Sequence, residues 1–166
     1  MAINRLNHAV LYVRDAERSA AFYADVLGFR RIEEYEGTPV GVFLRADGST
    51  NDHDLALFTI GDDAGPSQAG RSTVGLYHLA WEVDTLGDLV RLRDKLTAAG
   101  ALVGATDHGT TRALYGKDPD GIEFELTWVV PADRLGGAGP AMRPLNLERD
   151  VETFGADTLG GVGISR

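Results

Sequence analysis

Apolar and polar positions along the chain change period several times, and the changes come in a repeated order. Residues 3–13 alternate around Leu6, His8, Val10 and Tyr12, the period of a half-buried strand. Asp15 is placed to cap a helix over 16–27, where Ala20, Phe22, Tyr23, Val26 and Leu27 fall at helical spacing. Gly28 suits the position just past its end. Strands are expected at about 29–35, 40–46 and 54–60, with a turn at Ala46-Asp47-Gly48 between the last two. Residues 75–84 then read as a strand again. Thr85 can cap a helix over 86–99 with Leu86, Leu89, Leu92 and Leu96 on one face, and Gly100 ends it. Strands follow at about 101–106, 111–117 and 122–130, with Asp118-Pro119-Asp120-Gly121 between the last two.

Each half is thus strand, helix and three strands. His8 stands twenty residues before Gly28, and His78 twenty-two before Gly100. Internal self-similarity of this kind decides the architecture. The expected fold is α+β: two tandem βαβββ modules forming a curved mixed sheet around a metal-binding cleft. The first module takes residues 1–60 and the second 75–130, joined by an aperiodic, Gly-, Ser- and Pro-containing linker over 61–74. After Pro131 the pattern fades. Residues 131–166, rich in Gly, read either as an arm that wraps the domain or a partner subunit or as a tail without order.

Composition narrows the chemistry. The 166 residues are 43% hydrophobic and 25% charged, the balance of an ordinary globular domain. The absence of cysteine excludes disulfides, thiolate metal sites and cysteine nucleophiles, so a metal here needs nitrogen and oxygen ligands. The net charge of -9 argues against nucleic-acid or anionic-membrane partners. No apolar run reaches the length of a membrane span, and the opening residues lack a signal peptide's apolar core. The expected location is the cytoplasm.

The chain has four histidines, His8, His53, His78 and His108. Taken singly, each reads as an ordinary hydrogen-bonded or surface residue. The repeat alters that, because His8 and His78 occupy the same place in the first strand of each half and an internal twofold would bring them together. A third ligand is available on the last strand, where Glu123 and Glu125 share a face opposite Phe124, Leu126 and Trp128. That face reads equally as one turned to water. The position matching Glu125 in the first half is Ala56, which cannot ligate. Two His and one Glu with open positions is the pattern of oxygen-using non-haem Fe(II) sites. A three-residue loop, Pro119 to Gly121, pairs 118 with 122 and so sets Tyr115 opposite Glu125. A core tyrosine is the plainer reading. Trp81, Phe43 and Trp128 can line a pocket or form the core, and for Phe43 and Trp128 the core is expected because a sheet face must be covered.

The stretches NHAVLYVRDAERSAAFYADVLGF, YHLAWEV and YGKDPDGIEFEL, in that order, resemble the vicinal oxygen chelate superfamily over about residues 3–130. That superfamily includes glyoxalase I, bleomycin- and fosfomycin-resistance proteins and extradiol ring-cleaving dioxygenases. The run His53-Asp54-Leu55-Ala56-Leu57 resembles the dioxygenase strand that opens on an acid–base histidine. Asp107-His108 resembles the stretch carrying their second substrate-binding histidine, and Tyr115, ten residues before Glu125, matches their tyrosine in spacing. The resemblance is strongest to the one-domain extradiol dioxygenases. It implies a catechol 2,3-type cleavage of a small aromatic diol with O2 at Fe(II), or Mn(II), held by His8, His78 and Glu125. In it, His53 would serve as acid–base and Tyr115 and His108 would orient the substrate. It also implies a homodimer or larger homo-oligomer. Two other readings within the same resemblance are a glyoxalase-type isomerase or epimerase, with Glu82 or Asp54 as its carboxylate base, and a non-enzymatic antibiotic-binding resistance protein.

Overall fold

The computed structural model describes residues 2–3, 5–32, 41–70, 72–137 and 139–161. They form two compact units: Met1–Gln68 with Asp118–Ile122, and Ala69–Lys117 with Glu123–Arg166. Among the described residues no helix is long and apolar enough to cross a membrane.

The first unit holds β1 (Ala9–Val13), α1 (Ala16–Asp25), β2 (Arg30–Arg31), β3 (Gly41–Arg45) and β4 (Leu55–Thr59). Its sheet runs β1-β4-β3-β2, with β1 and β4 parallel and the other pairs antiparallel. Asp15 caps α1 by accepting from the Glu17 and Arg18 amides, an interaction worth about 1 kcal/mol. Gly28 takes a left-handed φ of 81° and its amide reaches Ala24 O, which closes the helix as the sequence predicts. The core is built from Val13, Ala20, Tyr23, Phe29, Leu44, Leu55 and Leu57, all buried.

The alternation over 3–13 predicts a longer first strand than the five residues found. Ladder pairing begins where the Ala9 amide donates to Asp54 O at 2.9 Å. Before it, the chain is held by a side chain instead: Asn51 Nδ2 donates to Asn7 O at 2.8 Å. The expected strand 29–35 is seen as Arg30–Arg31, and residues 33–35 and 40 lie outside the described residues.

The second unit holds β5 (Leu79–Glu82), α2 (Leu86–Ala98), β6 (Leu102–Asp107), β7 (Thr111–Lys117), β8 (Glu123–Val129), a 3-10 turn at Ala132–Arg134, β9 (Arg143–Pro144) and α3 (Leu147–Phe154). Its sheet runs β5-β8-β7-β6-β9, again with the first and last module strands, β5 and β8, parallel. Thr85 and Asp88 form a reciprocal capping box at the start of α2, whose Leu86, Leu89 and Leu96 are fully buried. Residues 132–161 carry structure of their own: β9 extends the sheet beside β6, and α3 packs on α2. Trp128 is buried, as expected of a core residue, and its indole N–H donates to Thr158 O at 3.1 Å.

Gly116 faces Phe124 across the β7–β8 ladder. A Cβ at 116 would stand 2.4 Å from the Phe124 ring, which is 1% exposed and has no room to retreat. Gly116→Ala is therefore expected to destabilise the fold by about 1–3 kcal/mol, read as a lower urea midpoint at unchanged slope.

The turn Asp118–Ile122 belongs to the first unit and is built as the Asp-Pro-Asp-Gly pattern predicts. Asp118 N donates to Ile122 O, Gly121 N donates to Asp118 O, and Gly121 has a φ of 81°. Asp120 accepts from the Arg14 amide and pairs with the Arg14 and Arg18 guanidiniums. Asp118 is buried and accepts from the Asp120 and Ile122 amides and from the Tyr23 hydroxyl. Burial raises its carboxyl above the usual range, with the Asp120 charge adding to the rise, against hydrogen bonds that lower it. A carboxyl raised on folding contributes stability present at low pH and lost as pH climbs through the folded value. Asp118→Asn keeps an acceptor for the two amides and removes that loss. Between about pH 4 and about pH 7 the variant's urea midpoint should gain on the wild type's; parallel curves would show that Asp118 does not titrate as argued.

Candidate metal and active site

The parallel pairing of each module's first and last strands sets the site's geometry. His8 stands one residue before β1, where Val10 is partnered with Ala56. His78 stands one residue before β5, where Ala80 is partnered with Glu125. Ala56 and Glu125 are therefore structural equivalents. The next strand extends the correspondence, since Phe43 lies opposite Ala56 and Tyr115 opposite Glu125. One module presents Tyr and Glu where the other presents Phe and Ala.

In the second unit the polar set is gathered. His78 Nε2 lies 3.2 Å from Glu125 Oε2, with side chains 25% and 14% exposed. Two ligands about 2.1 Å from one ion at a right angle stand about 3.0 Å apart, so the pair has the spacing of neighbouring ligands. His78 Nδ1 is buried without a hydrogen-bond partner. The nitrogen–oxygen donor set suits Fe(II) or Mn(II), so these residues fit such an ion. The Tyr115 ring meets His78 edge-on at 5.8 Å between centroids, and its hydroxyl lies 2.8 Å from His108 Nε2. Burial first, then the Glu125 charge and a hydrogen bond to it, push the Tyr115 phenol up to about 12. The phenol therefore keeps its proton near neutral pH.

In the first unit the His8 and His53 rings lie with centroids 4.4 Å apart, tilted by 39°. His53 is buried, and its Nδ1 lies 3.1 Å from Asp52 Oδ2. Phe43 is only half-buried, and its ring meets His53 edge-on at 5.2 Å. It belongs to the surroundings of His53 rather than to the core in which the sequence reading set it, because β3 turns it to the same side as Ala56, away from Val42 and Leu44. The loop carrying His53 is fixed by Asp54, which accepts from the Ala46 amide, Ser49 Oγ and Asn51 Nδ2. Asn51 binds Asp54 and the Asn7 carbonyl at once, so it ties the approach to His8 to the His53 loop.

Among the described residues no group of three or more His, Asp or Glu forms a cluster able to hold a metal. The residues expected to act together fall as two sets, His8 with His53 in the first unit, and His78, Glu125, Tyr115 and His108 in the second. Asn51, Asp52 and the buried ions Asp107, Arg112 and Asp150 were not among the expected site residues. Of these, Asp52 and Asp107 carry a sequence signal, each as a carboxylate directly before a histidine.

Residues 5–126 match the Glyoxalase/Bleomycin resistance protein/Dioxygenase superfamily. The chain is 37% identical over 131 residues to biphenyl-2,3-diol 1,2-dioxygenase 3 of Rhodococcus globerulus, which covers 74% of this chain and 62% of that protein. It is 31% identical over 157 residues to catechol-2,3-dioxygenase of Bacillus subtilis (strain 168), covering 90% of this chain and 52% of that one. The chain thus spans little more than half the length of these relatives. A crystal structure of a glyoxylase/bleomycin resistance protein/dioxygenase domain from Frankia sp. EAN1pec matches with a TM-score of 0.65 at 22% identity, over 79% of this chain and 96% of that one. That likeness bears on the fold alone. Lactoylglutathione lyases and fosfomycin resistance proteins share the superfamily. With its repeated βαβββ order and a match over most of its length, the chain belongs to the Glyoxalase/Bleomycin resistance protein/Dioxygenase superfamily.

Proposed function

We propose that this protein is a metal-dependent extradiol dioxygenase of the catechol 2,3 type, opening the ring of a small vicinal aromatic diol with O2. The observation that carries the reading is the half-buried set His78, Glu125, Tyr115 and His108 on one module, set against Ala56 at the matching place on the other. His78 and Glu125, with His8 as the expected third ligand, would hold one Fe(II) or Mn(II). A relative named as a manganese-dependent 2,3-dihydroxybiphenyl 1,2-dioxygenase supports the second metal. Such a two-His-one-carboxylate set would leave room on the ion for substrate.

A bound ion would lower the pKa of a diol hydroxyl. The remaining work falls to the chain. His53, with Nδ1–H donated to Asp52, presents Nε2 as the acceptor for a diol proton and returns that proton later. Tyr115 stays protonated and steadies the Glu125 carboxylate, while His108 and Tyr115 orient substrate oxygens. Both atoms of O2 enter the product, a ring-opened semialdehyde carboxylate, so no external reductant is required. An isomerase needs a free carboxylate base near the ion. Asp54 is spent on three hydrogen bonds and Glu82 is exposed on β5, which weighs against that reading.

Metal loading tests the ligands. After anaerobic loading with Fe(II) and gel filtration, His8→Ala, His78→Ala and Glu125→Ala should each retain at least about tenfold less metal than wild type. Full retention by any one removes that residue from the set. Turnover tests the reaction. Fe(II)-loaded wild type given catechol or 2,3-dihydroxybiphenyl in air should form a yellow product and consume one O2 per diol. His53→Phe should lower kcat by about 10²–10⁴ at unchanged metal content. Activity of the Ni(II) form on a hemithioacetal, with none on diols, would overturn the dioxygenase reading.

A further inference from the structure

Most of the C-terminal residues lie beyond the superfamily match and have no part in the chemistry above. They are nevertheless bound to the turn between β6 and β7, which carries His108. The β9 pair Arg143 and Pro144 lies against Asp107 and Thr106, and the Ala141 amide donates to His108 O at 2.8 Å. Gly109 has a φ of 80°, and a Cβ there would lie 2.2 Å from Gly139 O, so arm and turn are in direct backbone contact.

Beneath that contact is an ion cluster. Arg112 Nη1 pairs with Asp107 Oδ1 at 2.8 Å, and Arg112 Nε donates to Asp150 Oδ2 on α3 at 2.9 Å. Asp107 and Asp150 are 2% exposed and Arg112 is 7%. Arg112 also donates to Gly109 O at 3.1 Å, and Asp107 Oδ1 accepts from the Gly109 amide at 2.7 Å. The guanidinium lies over the Phe154 ring, 5.6 Å from its centroid. Charges so far from water hold their geometry tightly, because losing one partner strands the others without compensation. The turn leaving this cluster ends on His108, whose Nε2 meets the Tyr115 hydroxyl.

We propose that Asp150 of the C-terminal arm is a positioning residue for the active site, fixing through Arg112 and Asp107 the turn that holds His108 on Tyr115. The proposal deepens the ring-cleavage reading and rests on it for the role of His108. The contact itself can be read without turnover. In the full chain with isotope-labelled histidine, the His108 ring resonances are assigned by their loss in His108→Gln. Tyr115→Phe should shift them. Asp150→Asn, close to isosteric, should move His108 toward the Tyr115→Phe position and at least halve the further effect of Tyr115→Phe, while His53 stays in place. Asp150→Glu, which keeps the carboxylate, should recover the wild-type position. An unmoved His108, or His53 displaced as far as His108, overturns the proposal. If Asp150→Asn gives no folded spectrum, Phe154→Leu leaves every ion pair and loosens Arg112; it should move His108 the same way, and an unmoved His108 there overturns it too.

Turnover adds a second arm. Asp150→Asn should lower kcat on catechol about tenfold, and the double variant with His108→Gln should be no slower than His108→Gln alone. Additive losses would mean that Asp150 does not act through His108, and would overturn the proposal. A wild-type protein that opens no diol would sink the ring-cleavage reading, while the resonance comparison would still decide whether Asp150 sets the His108 contact.

Discussion

Parallel pairing between the first and last strand of each module is the constraint on which the site depends. A parallel neighbour cannot be reached by a tight turn, so the chain must cross over, here by a helix and two further strands. That crossover returns the last strand beside the residue just upstream of the first. In one module it brings Glu125 beside the strand that follows His78; in the other it brings Ala56 beside the strand that follows His8. The helices serve this arrangement by covering one face, α1 on β3 and β4 and α2 on β6, β7 and β8, so the other face is left for the half-buried polar groups.

Three connections between strands share one device. Asp54 before β4, Asp107 at the end of β6 and Asp118 after β7 are all buried, and each accepts from backbone amides of its own turn. A buried carboxylate needs several donors to repay its lost hydration, and a turn has unpaired amides to offer. The match fixes the turn without using any apolar surface. Two of the three turns carry histidines of the candidate site, His53 directly before Asp54 and His108 directly after Asp107. Rigidity at those histidines thus comes from their chain neighbours.

Much of this was legible in the chain. The repeat placed His8 and His78 at equivalent points, the apolar pattern matched Ala56 to Glu125, and the Asp-Pro-Asp-Gly turn set Tyr115 opposite Glu125; the ladders have those pairings. Such features are local, since each depends on counting along one strand or around one turn. What stayed hidden is long-range. Arg112 finds Asp150 thirty-eight residues away, and nothing in the Gly-rich stretch between them announces α3's place. The alternation over 3–13 could not show that Asn51 would replace the ladder before Ala9. Phe43 read as core because alternation tells which residues share a face but not which face is covered.

The ladders also record an exchange of bulk. Leu44 and Leu55 are partners in the first module, and Gly116 and Phe124 hold the matching places in the second. Two medium side chains on one side correspond to an absent one and a large one on the other, all pressed into fully enclosed space. If the modules descend from one duplicated segment, position 116 could not drift alone: any side chain there collides with the Phe124 ring. The two copies have become different solutions to the same packing problem, and single residues are no longer interchangeable between them.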